Sequence, residues 1–356
     1  MLLMQQPIRT GVVGFGLAGR VFHTAVVQAT PGLDLAAVVQ RSGDDAKKEY
    51  PEAHLARSVE EMLSDVGIQL IVIATPSYSH YELAKQCLHE QRHVDIDKPF
   101  TLTSSEASEL IHMARERSLL LTADQNRRWD GDFQTVRQVI ASGDLGRLTT
   151  MESHFDRFRP EPRKEVWRES GGPGGGLLFD LGPHLIDQAL TLFGPPEAIS
   201  SSVRVERDAA VVDDAFDLQL TWERQRLTVF LRATLTACTP GPRFVLHGTH
   251  GSFVKRGLDP QEEQLRSGMR PDSPGFGEEP ESRWGQLSFE NKPPQSVPTL
   301  RGDYRGFYEN VRDALLGRAE LAVTPEQVWR TTRLIELARE SSGQGRRLRV
   351  DFTGQP

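Results

Sequence analysis

Cysteine is scarce. The chain has two, Cys87 and Cys238. They are far apart and lack a Cys-x-x-Cys pair, which leaves no disulfide framework and no zinc-ligand spacing. The expectation is a reducing compartment, with both thiols packed as small buried hydrophobes. Long apolar runs are missing too. No stretch reaches the roughly 18 residues of a membrane span. Met1 to Gln6 is too short for the apolar region of a signal peptide. No membrane partner is therefore expected, and the expected location is cytoplasmic. Positive charge is not in excess: 42 Lys and Arg face 49 Asp and Glu, for a net charge of −7. That balance argues against the basic face of a nucleic-acid binder, so no nucleic-acid partner is expected. The histidines lack paired ligand spacing, and no metal site is expected.

What is present fits an ordinary globular protein. At 356 residues, 38% of them hydrophobic, the chain is long enough for about two domains, each with its own core. The first third alternates strand-like and helix-like segments. Strands are read at 8–14, 35–40, 70–75, 93–97 and 119–122, and helices at 17–29, 78–91 and 103–117. This alternation predicts βαβ units and a parallel sheet. The run Leu70–Thr75 is apolar enough for a central strand covered on both faces. Thr103 or Ser104, with Glu106 nearby, can cap the helix that follows. After a helix at 132–142 the pattern changes. Strands are expected at 148–154, 199–206, 215–222, 227–236 and 243–247, with helices at 177–193, 303–316 and 325–340. The fold class is thus α/β. A parallel-sheet α/β domain over residues 1–126 precedes an α+β domain over 127–356 with a mostly antiparallel sheet. Residues 268–300, rich in Pro, Gly and charge, read as a long and partly mobile surface excursion.

Gly14-Phe15-Gly16-Leu17-Ala18-Gly19 stands between the first strand and the first helix, the context a dinucleotide loop requires. Gly14 permits a tight turn, Gly16 lets backbone N–H groups approach a pyrophosphate, and Gly19 lets helix and strand pack closely. The helix N-terminus then favours the phosphate charge. An NAD site usually carries Asp or Glu about 20 residues further on to hold the ribose 2′-hydroxyl. Here the second strand ends in Gln40-Arg41-Ser42, and the first carboxylate is Asp44. Arg41 and Ser42 suit a 2′-phosphate. NADP is therefore the expected cofactor, with NAD as the alternative.

Four segments resemble the glucose–fructose oxidoreductase/inositol dehydrogenase/rhizopine-catabolism (Gfo/Idh/MocA) oxidoreductases, over essentially the whole chain. They are the glycine loop, Ala74-Thr75-Pro76 with His80, Asp97-Lys98-Pro99, and Gly174-Gly175-Gly176 followed by Asp180-Leu181-Gly182-Pro183-His184 and Asp187. The family usually has Glu-Lys-Pro where this chain has Asp97-Lys98-Pro99. Asn126-Arg127-Arg128-Trp129-Asp130, the run Asp156 to Pro160 and Trp167-Arg168-Glu169 are more specifically similar to the NADP-dependent scyllo-inositol dehydrogenase branch. The resemblance implies a Rossmann first domain and a second domain whose open sheet face makes a homodimer or homotetramer. It implies hydride transfer with a cyclic polyol or sugar as the small-molecule substrate. It also brings Thr75, Pro76, His80, Asp97, Lys98, Asn126 and Arg127 to the cofactor.

Alcohol oxidation needs a base for the hydroxyl proton and a donor to steady the developing alkoxide. Lys98 follows the fourth strand at its carboxyl end, where ligands bind in open parallel sheets. Asp180, His184 and Asp187 share one helix face, and an acid beside a histidine favours the imidazolium. His184 is read as the acid/base, Lys98 as the bridge between substrate and cofactor, and Asp180 as a substrate or His184 partner. The roles of Lys98 and His184 can be exchanged. Trp129, Asp156, Arg157, Arg159 and Trp167 are candidate liners of a polyol pocket. The competing reading is a dinucleotide-sensing protein without turnover, which has no need of Lys98, Asp180 and His184 together.

Overall fold

The computed structural model describes residues 6–163 and 165–356. Of the stretch Met1 to Gln6, all but Gln6 lies outside the described residues. β1 (Ile8–Val13) leads through the glycine loop into a π-helical segment (Gly19–Thr24) that continues as α1 (Ala25–Ala29). β2 (Leu33–Val39), α2 (Asp45–Glu49), β3 (His54–Ala56) and α3 (Val59–Leu63) follow. Next come β4 (Leu70–Ile73), α4 (His80–His89), β5 (His93–Ile96), α5 (Ser104–Glu116) and β6 (Leu121–Ala123). These strands form one parallel sheet in the order β3-β2-β1-β4-β5-β6.

Every residue of β4 is buried, as a strand covered on both faces must be. The strand order reverses between β1 and β4, so the carboxyl ends of those two strands open a crevice. Thr103 and Glu106 complete a reciprocal capping box at the start of α5, satisfying two backbone donors that the helix itself leaves unpaired.

The remainder contributes α6 (Gly131–Ser142), β7 (Leu148–His154), α7 (Leu177–Phe193), β8 (Ala198–Arg204), β9 (Ala215–Trp222) and β10 (Leu227–Thr234). It ends with β11 (Phe244–Gly248), β12 (Gly251–Lys255), α8 (Gln261–Arg266), β13 (Gly285–Phe289), β14 (Gln295–Val297), α9 (Arg305–Leu315), α10 (Pro325–Gln344) and β15 (Leu348–Arg349). The second sheet runs β14-β13-β12-β11-β7-β10-β9-β8-β15. Only β7 and β10 pair in parallel; the other neighbours are antiparallel. Period-two alternation turns Phe216, Leu218, Leu220 and Trp222 of β9 toward the helix-covered side, with Leu227, Val229 and Leu231 of β10. Residues of α6, α7 and α10 close that core.

Several expectations are corrected. Residues 268–300 hold two strands, β13 and the edge strand β14, and Phe276 is fully buried. The alternation in Gly285–Phe289 is short and lies between prolines, which hides it in the sequence. Cys87 is buried, but Cys238 is exposed. The second half of the chain also does not stay with the second sheet. Tyr304, Phe307, Tyr308 and Val311 join the core of the first.

Candidate active site

Both halves of the chain wall a cavity of about 920 Å³ at the carboxyl ends of the parallel strands. Its floor begins at the glycine loop. Gly14 takes φ +103°, and a Cβ there would lie 2.8 Å from the Ala74 carbonyl oxygen. A Cβ on Gly19 would lie 1.9 Å from the Gly14 carbonyl oxygen, so loop and helix touch backbone to backbone. A Cβ on Gly16 would meet nothing within 4 Å. That residue borders open space, as close approach of a pyrophosphate requires. The Arg20 N–H donates to the Gly16 carbonyl oxygen at 2.9 Å, and no side chain caps the segment at Ala18, so no side-chain oxygen competes with an anion there.

Phe15, Leu17 and Ala18 line this end of the cavity with Arg41 and Ser42. Thr75 and Pro76 line it after β4, and Asp97 and Lys98 after β5. Asn126 and Arg127 line it from the junction with the second half. Asn126 is 8% exposed, and its Oδ1 has no hydrogen-bond partner among the described residues. A buried, orphaned acceptor on a residue that lines the cavity fits a ligand that donates to it. The residues present therefore fit a dinucleotide.

The opposite wall belongs to the second half. Arg157, Arg159, Trp167, Asp180 and His184 all line the cavity. Asp180 and His184 project from α7, whose first turn is held by Asp213: its Oδ2 accepts from Leu178 N at 2.7 Å. Lys98 crosses the cleft. Its Nζ donates to the Asp180 backbone oxygen at 2.7 Å and to Asp180 Oδ1 at 3.0 Å. Arg168 Nε lies 3.3 Å from the same carboxylate oxygen, and its guanidinium stacks over Trp167.

These charges set the protonation states. Burial alone would raise the Asp180 carboxyl, but Lys98, Arg168 and Arg157 hold it well below the usual carboxylate range. His184 is pushed well below the ordinary histidine value by burial, and the charges of Lys98 and Arg127 add to that. The Asp180 charge opposes the shift without overcoming it. The sequence expectation of a favoured imidazolium is thus reversed: the His184 ring rests neutral. Its Nδ1 has no hydrogen-bond partner among the described residues.

Four expected residues lie elsewhere. His80 is 1% exposed and turned inward, with Nδ1 2.8 Å from the Pro99 carbonyl oxygen and Nε2 2.9 Å from that of Thr75. It ties together the two loops that carry Thr75 and Lys98, and does not line the cavity. Trp129 packs edge-on against Phe307 and over Gly306 of α9, because the indole seals α9 to the junction. Asp156 accepts from Gly241 N at 3.0 Å and lies 3.5 Å from His154; it fixes a loop. Asp187 shares the α7 face in sequence but is bound by Arg128 Nε at 2.7 Å and Nη2 at 2.6 Å. It is therefore taken up by Arg128.

Behind Asp97 lies a buried polar cluster that sequence reasoning missed. His23 Nε2 sits 3.6 Å from Asp97 and 3.8 Å from Asp124. Its Nδ1 is 2.6 Å from the Tyr308 hydroxyl, which donates to Asp95 at 3.1 Å. Burial would lower the His23 pKa, but Asp97, Asp124 and Asp95 raise it to about 9. Burial would raise Asp97, yet His23 and Lys98 hold it at about 2. Burial raises Asp124 to about 7. His23, Asp97 and Asp124 bring three ligand-type atoms within 4.8 Å of one another. The ring nitrogen lies within ion-pair distance of both carboxylates, and the cluster reads as an ion-pair network. The one signal in the sequence was His23 on the helix of the glycine loop.

No helix among the described residues is long and apolar enough to cross a membrane. Residues 8–125 match the oxidoreductase family model for an NAD-binding Rossmann fold, and residues 137–351 match its C-terminal alpha/beta domain. An uncharacterised oxidoreductase of Escherichia coli K12, YdgJ, is 39% identical over 95% of this chain and 97% of its own length. The scyllo-inositol 2-dehydrogenase (NADP(+)) IolW of Bacillus subtilis 168 is 33% identical, over 97% of this chain and 96% of its own. The crystal structure of an oxidoreductase from Bacillus cereus superposes with a TM-score of 0.87 at 31% identity, covering 97% of this chain and 99% of that one. Both halves of the chain and the likeness along nearly its full length lead to one conclusion: this protein belongs to the Gfo/Idh/MocA oxidoreductase family.

Proposed function

We propose that the protein is an NADP(H)-dependent dehydrogenase that moves a hydride between the nicotinamide and a secondary alcohol or ketone of a cyclic polyol or sugar. The observation that carries this reading is the meeting of Lys98, Asp180 and a neutral His184 on one cavity shared with the glycine loop. When bound, the nicotinamide supplies or accepts the hydride. His184, unprotonated, takes the hydroxyl proton in the oxidation direction and returns it in reduction. Lys98 Nζ donates to the reacting oxygen and steadies its developing negative charge. Asp180 positions Lys98 through the 3.0 Å contact. Arg157, Arg159 and Trp167 present donors and an aromatic wall to the rest of the substrate.

Arg41 and Ser42, in place of a carboxylate at the end of β2, support NADP(H). The name of IolW, a scyllo-inositol 2-dehydrogenase (NADP(+)), supports both that cofactor and an inositol-like substrate. The test is turnover of inositol isomers and aldoses with NADP and with NAD, for the wild type, Lys98→Ala and His184→Ala. NADP-dependent turnover of one such substrate, lost in both variants, is the expected result. Cofactor binding without turnover across the panel would favour the sensing reading. Near-normal turnover in both variants would overturn the assigned roles.

A further inference from the structure

Arg57, just past β3, has no part in the reading above. Its Nη1 donates to the carbonyl oxygen of Gln40 at 3.0 Å and to that of Gly43. It therefore spans the turn that carries Arg41 and Ser42, and Arg41 and Arg57 line the same cavity. Among the described residues, no carboxylate stands within ion-pair distance of either guanidinium. The neighbouring acids feel the Arg57 charge but make no close contact with its guanidinium. Asp44 pairs with Lys48 at 2.7 Å, Glu60 accepts from Gln86 at 2.8 Å, and Glu61 accepts from the Arg57 backbone N–H at 2.7 Å. Ser58 Oγ accepts from Glu61 N at 3.2 Å and its hydroxyl also engages Glu60, so it caps the helix and is not counted toward a ligand. Two guanidinium groups without a close carboxylate partner and the Ser42 hydroxyl thus border one turn at the carboxyl ends of β2 and β3. Cations so arranged repel each other until an anion with several acceptor oxygens joins them.

We propose that Arg57 and Arg41 form a two-sided clamp on the ribose 2′-phosphate that distinguishes NADP from NAD; this rests on the NADP(H) reading above. Nη1 of Arg57 pins the turn, while Nε and Nη2 remain to face the phosphate. Charge-assisted hydrogen bonds of this kind correspond to about tenfold in affinity or more. The experiment is calorimetric titration of the full chain with NADPH and with NADH, for wild type, Arg57→Ala, Arg57→Lys and Arg41→Ala. Arg57→Ala is expected to weaken NADPH about tenfold or more and NADH less than about twofold, with Arg57→Lys in between. Equal weakening of both cofactors would make Arg57 a mere brace for the turn and would overturn the clamp, as would unchanged NADPH affinity. A wild type that binds NADH as tightly as NADPH defeats the NADP(H) reading itself, and is seen before any variant is compared.

Discussion

Replacing Lys98 with Met keeps the length of the side chain and removes its charge. Two consequences of different size follow. The first is structural. A hydrogen bond to a charged group contributes about 1.5–3 kcal/mol, and Lys98 makes its bond to Asp180 at 3.0 Å. Arg168 stays 3.3 Å from the same oxygen, so part of the compensation survives. The expected loss of stability is about 1–2 kcal/mol, a shift in Tm of a few degrees. The second is catalytic. Loss of the donor to the reacting oxygen is expected to lower kcat/KM by about 10²–10⁴, or roughly 3–5 kcal/mol of activation free energy. The pH profile gives a third, independent readout. The Lys98 charge is one of the causes that hold the His184 pKa down. Removing it raises that pKa, so the acid limb of kcat/KM for alcohol oxidation moves to higher pH. The assay is steady-state oxidation followed through nicotinamide absorbance across pH, with thermal melts of both proteins. A fall in kcat/KM smaller than the loss of folded protein, or an acid limb that stays or moves down, would refute the reasoning.

Gly19→Ala puts a Cβ 1.9 Å from the Gly14 carbonyl oxygen. The glycine loop must shift, and NADPH affinity is expected to drop at least tenfold by calorimetry. His23 titrates at about 9 in the fold against an ordinary 6.5. Its contribution is complete below pH 6.5 and is lost as pH rises through 9, on the order of 3 kcal/mol. Asp124, raised to about 7, acts with the same sign, losing stability as pH climbs through that value. Melts from pH 6 to 9.5 should show a falling Tm, and His23→Gln should flatten the part between 6.5 and 9. A wild-type Tm that is level or rising over that range would count against the buried ion-pair network.

What was legible in the sequence was local. The glycine loop, the buried β4 run and the Thr103–Glu106 cap are each set by neighbours a few residues apart, and pattern alone exposes them. Lys98, Asp180 and His184 stood out through motif context. What pairs them, and which protonation state results, depends on contacts across 82 residues of chain. The His23–Tyr308 bond spans 285 residues, and no periodicity signals it. Trp129 and Asp156 were expected in the cleft because an indole and a carboxylate suit polyols. The first instead seals α9 and the second fixes a loop, and sequence spacing does not distinguish these uses. Arg57 escaped notice because β3 is only three residues long, too short for its alternation to be read.

The central claim is that hydride passes between the nicotinamide and a carbinol carbon in this cleft, with Lys98 and His184 handling the oxygen and its proton. The most direct test is reduction of inososes and ketoses with NADPH deuterated on both faces of the nicotinamide C4, followed by mass spectrometry of the alcohol formed. The account predicts a single deuterium on the new carbinol carbon with wild-type protein, and little or none in the same time with Lys98→Met or His184→Gln. Saturable NADPH binding with no deuterium in any alcohol of the panel, or undiminished transfer in both variants, would contradict it.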